Sequence, residues 1–251
     1  MDKERIAQHR EFLKDSLRLT INFYLTDQNQ GVAPPPVERP PRPEQKQIKL
    51  PGAGIWQAFR GTDLLDAITN RVSHRRYRPE PLSLAELSFL LWATQGLKQE
   101  LAPGTALRTV PSAGCRHPFE TYLLISNVEG LTPGVYRFLP LEHSLVLERE
   151  DDDLEAKLVP ATLRQAFIAR APVTFVWAAI PYRSEWRYTT AAHRVMLMDV
   201  GHICQNLYLA CESIKCGTCA IAAFHQQGMD ELIDVDGEEE FTVYLAPVGK
   251  V

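Results

Sequence analysis

Asp199-Val-Gly-His-Ile-Cys-Gln-Asn-Leu207, followed ten residues later by Gly217-Thr-Cys-Ala-Ile-Ala-Ala-Phe224, is the stretch whose reading decides the fold. The first segment lies inside the longest helical pattern of the chain, residues 193–214. There Val200, Ile203, Cys204, Leu207, Cys211 and Ile214 recur three or four positions apart. Val195, Met196, Leu197 and Met198 make the first half apolar on nearly every side, which calls for burial in a core or an interface. The second segment predicts a strand over 218–224. A buried strand over 172–180 precedes the helix, and a last strand over 241–248 closes the chain after a short helix near Asp230.

Working outward, residues 121–126, 134–139 and 144–148 read as three successive strands separated by turns, with a helix over 158–169 after them. Ser83-Leu-Ala-Glu86 is a capping box, Leu84, Leu87, Leu90 and Leu91 follow on one face, and Gly96 is the expected stop. Thr62 or Asp63 caps a short helix that runs to Asn70. Strands paired locally and then separated by long helices predict an α+β fold, a sheet covered by helices. At the N-terminus, Ile6, Phe12, Leu13 and Leu17 suggest a weak amphipathic helix over 3–25. Six prolines between Pro34 and Pro43 then forbid helix and sheet ladders and favour an extended arm. The expected division is an N-terminal helix and proline-rich extension, 1–54, followed by a catalytic body, 55–251. No internal repeat is apparent.

Composition narrows the function. The 251 residues carry 27 basic and 31 acidic side chains, a net charge of −4, without the basic stripe of a nucleic-acid binder. The longest uncharged apolar run, 173–181, is far short of the about 20 residues that span a bilayer. The charged first twenty residues leave no signal-peptide core. Five cysteines, an odd number, read as reduced thiols in a cytoplasmic protein.

Four constellations could carry chemistry. Arg71-Val-Ser73-His-Arg75-Arg-Tyr-Arg78 places four arginines and a serine just past a helix end, able to grip a phosphate or simply to form a solvated basic turn. Pro111-Ser112-Ala113-Gly114 with His117 forms a small-residue loop whose amides can approach a ligand, His117 itself reading as a turn histidine. Cys216 and Cys219 make a CxxC, but it closes a helix and enters a strand. With no second knuckle, buried thiols are expected and a metal site is not. Arg187-Tyr188 lies in an expected loop before the long helix; an arginine beside a tyrosine can ready the phenol for proton transfer. No GxSxG, GxxxxGK[ST], HExxH or GxGxxG occurs.

The order of these segments resembles the nitroreductase-like flavoproteins. Arg71-x-Ser73-x-Arg75-x-Tyr77 is similar to their RxSxRxF opening. Pro111-Ser112-Ala113-Gly114, His117-Pro118-x-Glu120-x-Tyr122 and Gly134-Val-Tyr136 resemble segments of the SagB-type (azoline) dehydrogenase branch. So do Gly201-His202, Gln205-Asn206-Leu207, Gly217-Thr-Cys-Ala-Ile221 and the closing Pro247-Val-Gly249. The likeness runs from about residue 70 to the C-terminus. It implies a nitroreductase-like fold with a mainly antiparallel central sheet, and an intertwined homodimer binding FMN at the subunit interface. Arg71, Ser73 and Arg75 would fall on phosphate and ribityl contacts, with Lys250 a candidate last phosphate contact. Pro111, Ser112 and Ala113 would approach the flavin from the partner chain, and the segment with Cys219, Ile221 and Ala222 would lie against its ring. The chemistry implied is hydride transfer through flavin N5. In azoline oxidases a lysine–tyrosine pair removes the α proton, and Arg187-Tyr188 lies where that pair is expected. Arginine cannot act as a base, so Tyr188 would act with Arg187 stabilising its phenolate. The substrate is then a thiazoline or oxazoline in a peptide or small molecule. Two other readings remain: an NAD(P)H-dependent nitro or quinone reductase, and a non-catalytic flavin- or peptide-binding protein on the same fold.

Overall fold

In the computed structural model, which describes residues 2–57, 59 and 62–251, nine strands and eight α-helices are assigned among the described residues. Seven strands form one sheet in the order β1 (Gln47–Lys49), β6 (Ser144–Glu150), β5 (Gly134–Leu139), β4 (Phe119–Ile125), β7 (Val173–Ala179), β9 (Phe241–Lys250), β8 (Cys216–Thr218). Every neighbouring pair is antiparallel. A separate hairpin joins β2 (Leu97–Ala102) to β3 (Thr105–Arg108).

Strand alternation splits the core in two. On β4, Phe119, Leu123 and Ile125 face one side while Tyr122 and Leu124 face the other, and both sets are buried. The first face is covered by α4 (Leu84–Gln95) and α7 (Ala192–Ser213), through Leu87, Leu90, Leu91, Val200, Ile203 and Leu207. The second is covered by α5 (Leu154–Ala161) and α8 (Gln226–Ile233), through Leu154, Leu158, Met229 and Leu232. With helices on both faces, β4 and β7 are buried along their whole length.

The local signals hold where they are strong. Ser83 and Glu86 close both bonds of the capping box, and Gly96 caps α4 at its end. Asp63 caps α3 (Leu64–Asn70) through the Leu65 N–H. Other expectations give way. The helix over 3–25 shrinks to α1 (Lys3–Glu11), because no apolar face is buried to hold a longer one, and two 3-10 turns follow. The helix over 158–169 starts earlier and stops at Ala161, after Pro160; left-handed Leu163 and Arg164 then break the chain direction. The strand over 218–224 pairs only as Cys216–Thr218, with Ile221 bridging to Leu245 beyond it. Residues expected in a loop instead form α6 (Tyr182–Tyr188). The extension is knit into the same unit: β1 pairs with β6 at the sheet edge, followed by the four-residue α2 (Ala53–Trp56). The proline-rich arm before it lies on the protein, with the Val37 carbonyl accepting from Arg108 at 2.7 Å and the Arg39 carbonyl from Arg137 at 2.6 Å.

Candidate active site

Just past α3, residues 71–78 run alongside the sheet edge. Ser73 bridges Thr218, His74 N–H donates to the Thr218 carbonyl at 2.9 Å, and Arg78 N–H donates to the Lys250 carbonyl at 2.9 Å. Gly217 permits this approach, since a Cβ there would lie 2.5 Å from the His74 ring and 2.6 Å from Val251. Tyr208 of α7 gathers the group: its hydroxyl sits 2.9 Å from Ser73 Oγ and accepts the Ala220 N–H at 2.8 Å. The Arg71 guanidinium lies over the Tyr208 ring at 5.2 Å, and that of Arg75 over Phe167 at 6.0 Å. Among the described residues neither guanidinium has an acidic partner. Cys219 is buried, and burial raises its thiol pKa against the opposing pull of Arg75 and Ser73. Ile221 is buried and Ala222 exposed.

Lys250 is the exception among these residues. Its ammonium pairs with the capping-box carboxylate of Glu86, so its charge is spent where those of Arg71 and Arg75 are not.

A second group forms around the loop 111–117. Exposed Pro111 leads into Ser112, whose hydroxyl donates to Asp199 Oδ2 at 2.7 Å, while the Ala113 N–H donates to the same carboxylate at 3.2 Å. Burial raises the Asp199 pKa, and these two donors pull against that rise. Gly114 has φ 61°, and a Cβ on it would fall 2.7 Å from the Tyr188 hydroxyl and 2.8 Å from Arg187 Cδ. Arg187 Nε donates to the Tyr188 hydroxyl at 3.2 Å. The pair is therefore seated directly against the loop. His117 is buried and donates Nε2–H to the Ala106 carbonyl at 2.8 Å. Burial, reinforced by Arg108, pulls its pKa down to about 3, so it stays neutral as a turn residue.

The two groups do not meet within one chain. Asp199 and Tyr208 are nine residues apart on α7, which is half a turn round the helix and about 13 Å along it. Along the same helix runs an exposed stripe containing Leu197, Met198, Gly201, His202 and Gln205, which starts just before Asp199 and stops short of Tyr208, with Leu197 49% and Met198 50% exposed.

The profile of the Nitroreductase family matches residues 68–250, a span that takes in both groups. The chain belongs to the nitroreductase family. Two of its relatives carry the name "putative nitroreductase". One, MJ1384 of Methanocaldococcus jannaschii, is 36% identical over 187 residues, covering 74% of this chain and 90% of its own. The other, a crystal structure from Ralstonia eutropha JMP134, is 25% identical with a TM-score of 0.68, covering 87% and 96% of the two chains. The trifolitoxin-processing protein TfxB of Rhizobium leguminosarum is 32% identical over 144 residues, 53% of this chain and 38% of its own. The Escherichia coli microcin synthetase McbBCD complex shares the fold, with a TM-score of 0.61 at 19% identity over 81% of this chain and 84% of that one.

Within this nitroreductase fold, sequence reasoning missed Tyr208 and Asp199 as site residues. Tyr208 directly follows the quoted Gln205-Asn206-Leu207, and Asp199 is a lone acid in an otherwise apolar helical run; each was a polar group on a helix the pattern buries. The five cysteines are free, and burial pushes the Cys216 thiol up to about 12. No cluster of three or more metal-ligating side chains occurs among the described residues, and no helix there is long and apolar enough to cross a membrane.

Proposed function

We propose that this nitroreductase-family oxidoreductase binds FMN and belongs to the SagB-type branch. The observation that carries the reading is the Arg71–Ser73–Arg75 group: two guanidiniums without acidic partners among the described residues and a hydroxyl, beside the Cys219–Ala222 segment. That donor set fits a phosphate and its ribityl chain, and the uncharged Cys-Ala-Ile-Ala run at 219–222 fits a flat ring. FMN bound there would take or give a hydride at N5. Arg71, Ser73 and Arg75 hold the phosphate end, while Ile221 and Ala222 exclude water from the ring. Lys250 would have to leave Glu86 to take part, so the phosphate is assigned to the arginines.

Ser112, Ala113 and the Arg187–Tyr188 pair come from a second copy of the chain. A two-fold partner packed along the exposed α7 stripe brings the Asp199 end of one helix to the Tyr208 end of the other. Each site then takes one group from each chain, and Gly201 in the middle of the stripe allows close approach. Tyr188 Oη takes the α proton of a thiazoline or oxazoline, with the Arg187 Nε–H held on that oxygen. The similarity to a trifolitoxin-processing protein supports a peptide substrate. The five free cysteines fit a cytoplasmic setting. A second reading, an NAD(P)H-dependent nitro or quinone reductase, is favoured by the name of the M. jannaschii relative.

The visible absorption spectrum of the purified protein, with heat release of the chromophore, tests the cofactor. One FMN per chain is expected; a colourless protein that takes up no added FMN overturns the assignment and leaves a binding role on the fold. With FMN present, bleaching by a thiazoline peptide supports the azoline reading, and bleaching by NAD(P)H alone supports the reductase.

A further inference from the structure

Helix α6, which carries Arg187 and Tyr188, is tied down far more heavily than a seven-residue connector requires. The turn that leads into the proline-rich arm grips it from one side. Asp27 Oδ2 accepts the Tyr182 hydroxyl at 2.7 Å, the Gln28 N–H donates to the Trp186 carbonyl at 3.0 Å, and Trp186 Nε1 donates to the Val32 carbonyl at 3.0 Å. Arg183 pins the helix to the sheet through a buried ion pair with Glu120 at 2.5 Å.

Arg116 joins these supports. It leaves the loop that seats the Arg187–Tyr188 pair, and its side chain is buried. Nε donates to the Arg183 carbonyl at 2.8 Å, Nη2 to the Pro35 carbonyl at 3.1 Å and Nη1 to the Gly104 carbonyl. The guanidinium also lies 4.7 Å from the centre of the Trp186 ring. One cation thus locks α6, the arm and the β2–β3 turn to the loop at 112–117.

The helix ends under strain. Thr189, directly after Tyr188, has φ 47° and ψ −131°, outside the left-handed well and unfavourable for a β-branched residue. Such a conformation persists only where the surroundings hold it. On the other side of Tyr188, Gly114 at φ 61° leaves room for the hydroxyl and for Arg187.

We propose that Arg116 and the arm segment 27–35 are positioning elements that hold α6 against the strained Thr189 corner, so that Arg187 and Tyr188 are pressed onto Gly114 in their working geometry. The proposal rests on the catalytic reading of that pair. The segment 27–35 is then a working part of the active site.

The test uses the full-length, FMN-loaded protein and four variants: Arg116→Lys, Trp186→Phe, Thr189→Gly and Tyr188→Phe. Amide hydrogen exchange over residues 182–191 is followed with thermal melting, FMN per chain, and turnover of a 2-phenylthiazoline-4-carboxamide with oxygen as acceptor. Arg116→Lys and Trp186→Phe should speed exchange over 182–191 by about 10-fold or more, with β4 and β7 unchanged. Their kcat should fall at least 10-fold at constant KM and constant FMN. Thr189→Gly relieves the strain, so its melting temperature should hold or rise while kcat falls. Unchanged exchange and kcat in Trp186→Phe, or full kcat in Thr189→Gly, overturns the positioning role even if Arg116→Lys fails to fold. Full turnover in Tyr188→Phe refutes the catalytic reading itself. Loss in Tyr188→Phe with full turnover in the other three refutes only the positioning.

Discussion

Replacing Glu38 by glutamine should make the protein more stable at pH 8 and much less so at pH 5. Glu38 belongs to the arm, is 7% exposed, and its Oε2 accepts the Leu141 N–H at 2.8 Å. Burial, reinforced by the neighbouring charge of Glu120, pushes its carboxyl from the ordinary 4.5 up to about 7, despite that bond. Between those values the folded chain keeps a proton that the unfolded chain releases. The associated stability is therefore complete below pH 4.5 and lost as pH rises through 7. His117, in the facing loop, behaves oppositely. Burial takes it from 6.5 to about 3, so its contribution is complete above pH 6.5 and lost as pH falls towards 3. From pH 8 to pH 5, Glu38 adds about 2.5 kcal/mol and His117 removes about 2 kcal/mol, which leaves their joint contribution nearly flat. Glutamine keeps an acceptor for Leu141 and removes the titration. Glu38→Gln should gain about 3 kcal/mol at pH 8 and under about 1 kcal/mol at pH 5. Urea unfolding followed by circular dichroism at the two pH values, at fixed protein concentration, reads this as a shift in midpoint at constant slope. An equal gain at both pH values, or none at pH 8, would refute the reading of Glu38 as a carboxyl whose pKa is raised by burial.

Arg71→Ala and Arg75→Ala should each weaken FMN binding by about 1.5–3 kcal/mol, measured by flavin fluorescence titration of apoprotein; unchanged affinity in both contradicts the phosphate placement. Met198→Glu puts a charge on the exposed α7 stripe. Light scattering should then report monomers, and the FMN content should drop with them; a flavin-loaded monomer would rule out a shared site. Gly217→Ala forces a Cβ against His74 and Val251 and should cost about 1–3 kcal/mol of stability, so a wild-type thermal midpoint would show that residues 71–78 do not pack against β8 this closely.

How much of this was legible in the chain depends on how local the signal is. The capping box at Ser83, the stop at Gly96, the long helix over 193–214 and the strands of the first meander are written in caps and periodicities spanning a few residues. The arginines and serine at 71–75 stood out as a phosphate-gripping group and 112–113 as a small-residue loop, while the place of 219–222 against a flavin ring came only from the resemblance in segment order. Which of them stand together, and which are already spent, was not legible. Tyr208 links Ser73 to Ala220 across 135 and 12 residues of chain, and Asp199 reaches Ser112 across 87. Lys250 is diverted by Glu86, which lies 164 residues away. Residues 183–188 carry no strong helical pattern; they form a helix because Glu120, the arm and Arg116 hold them there. Local caps and periodicity thus set the elements from the sequence alone. Only the tertiary structure decided which charges are neutralised, because ion pairs and buried hydrogen bonds depend on contacts distant in the chain.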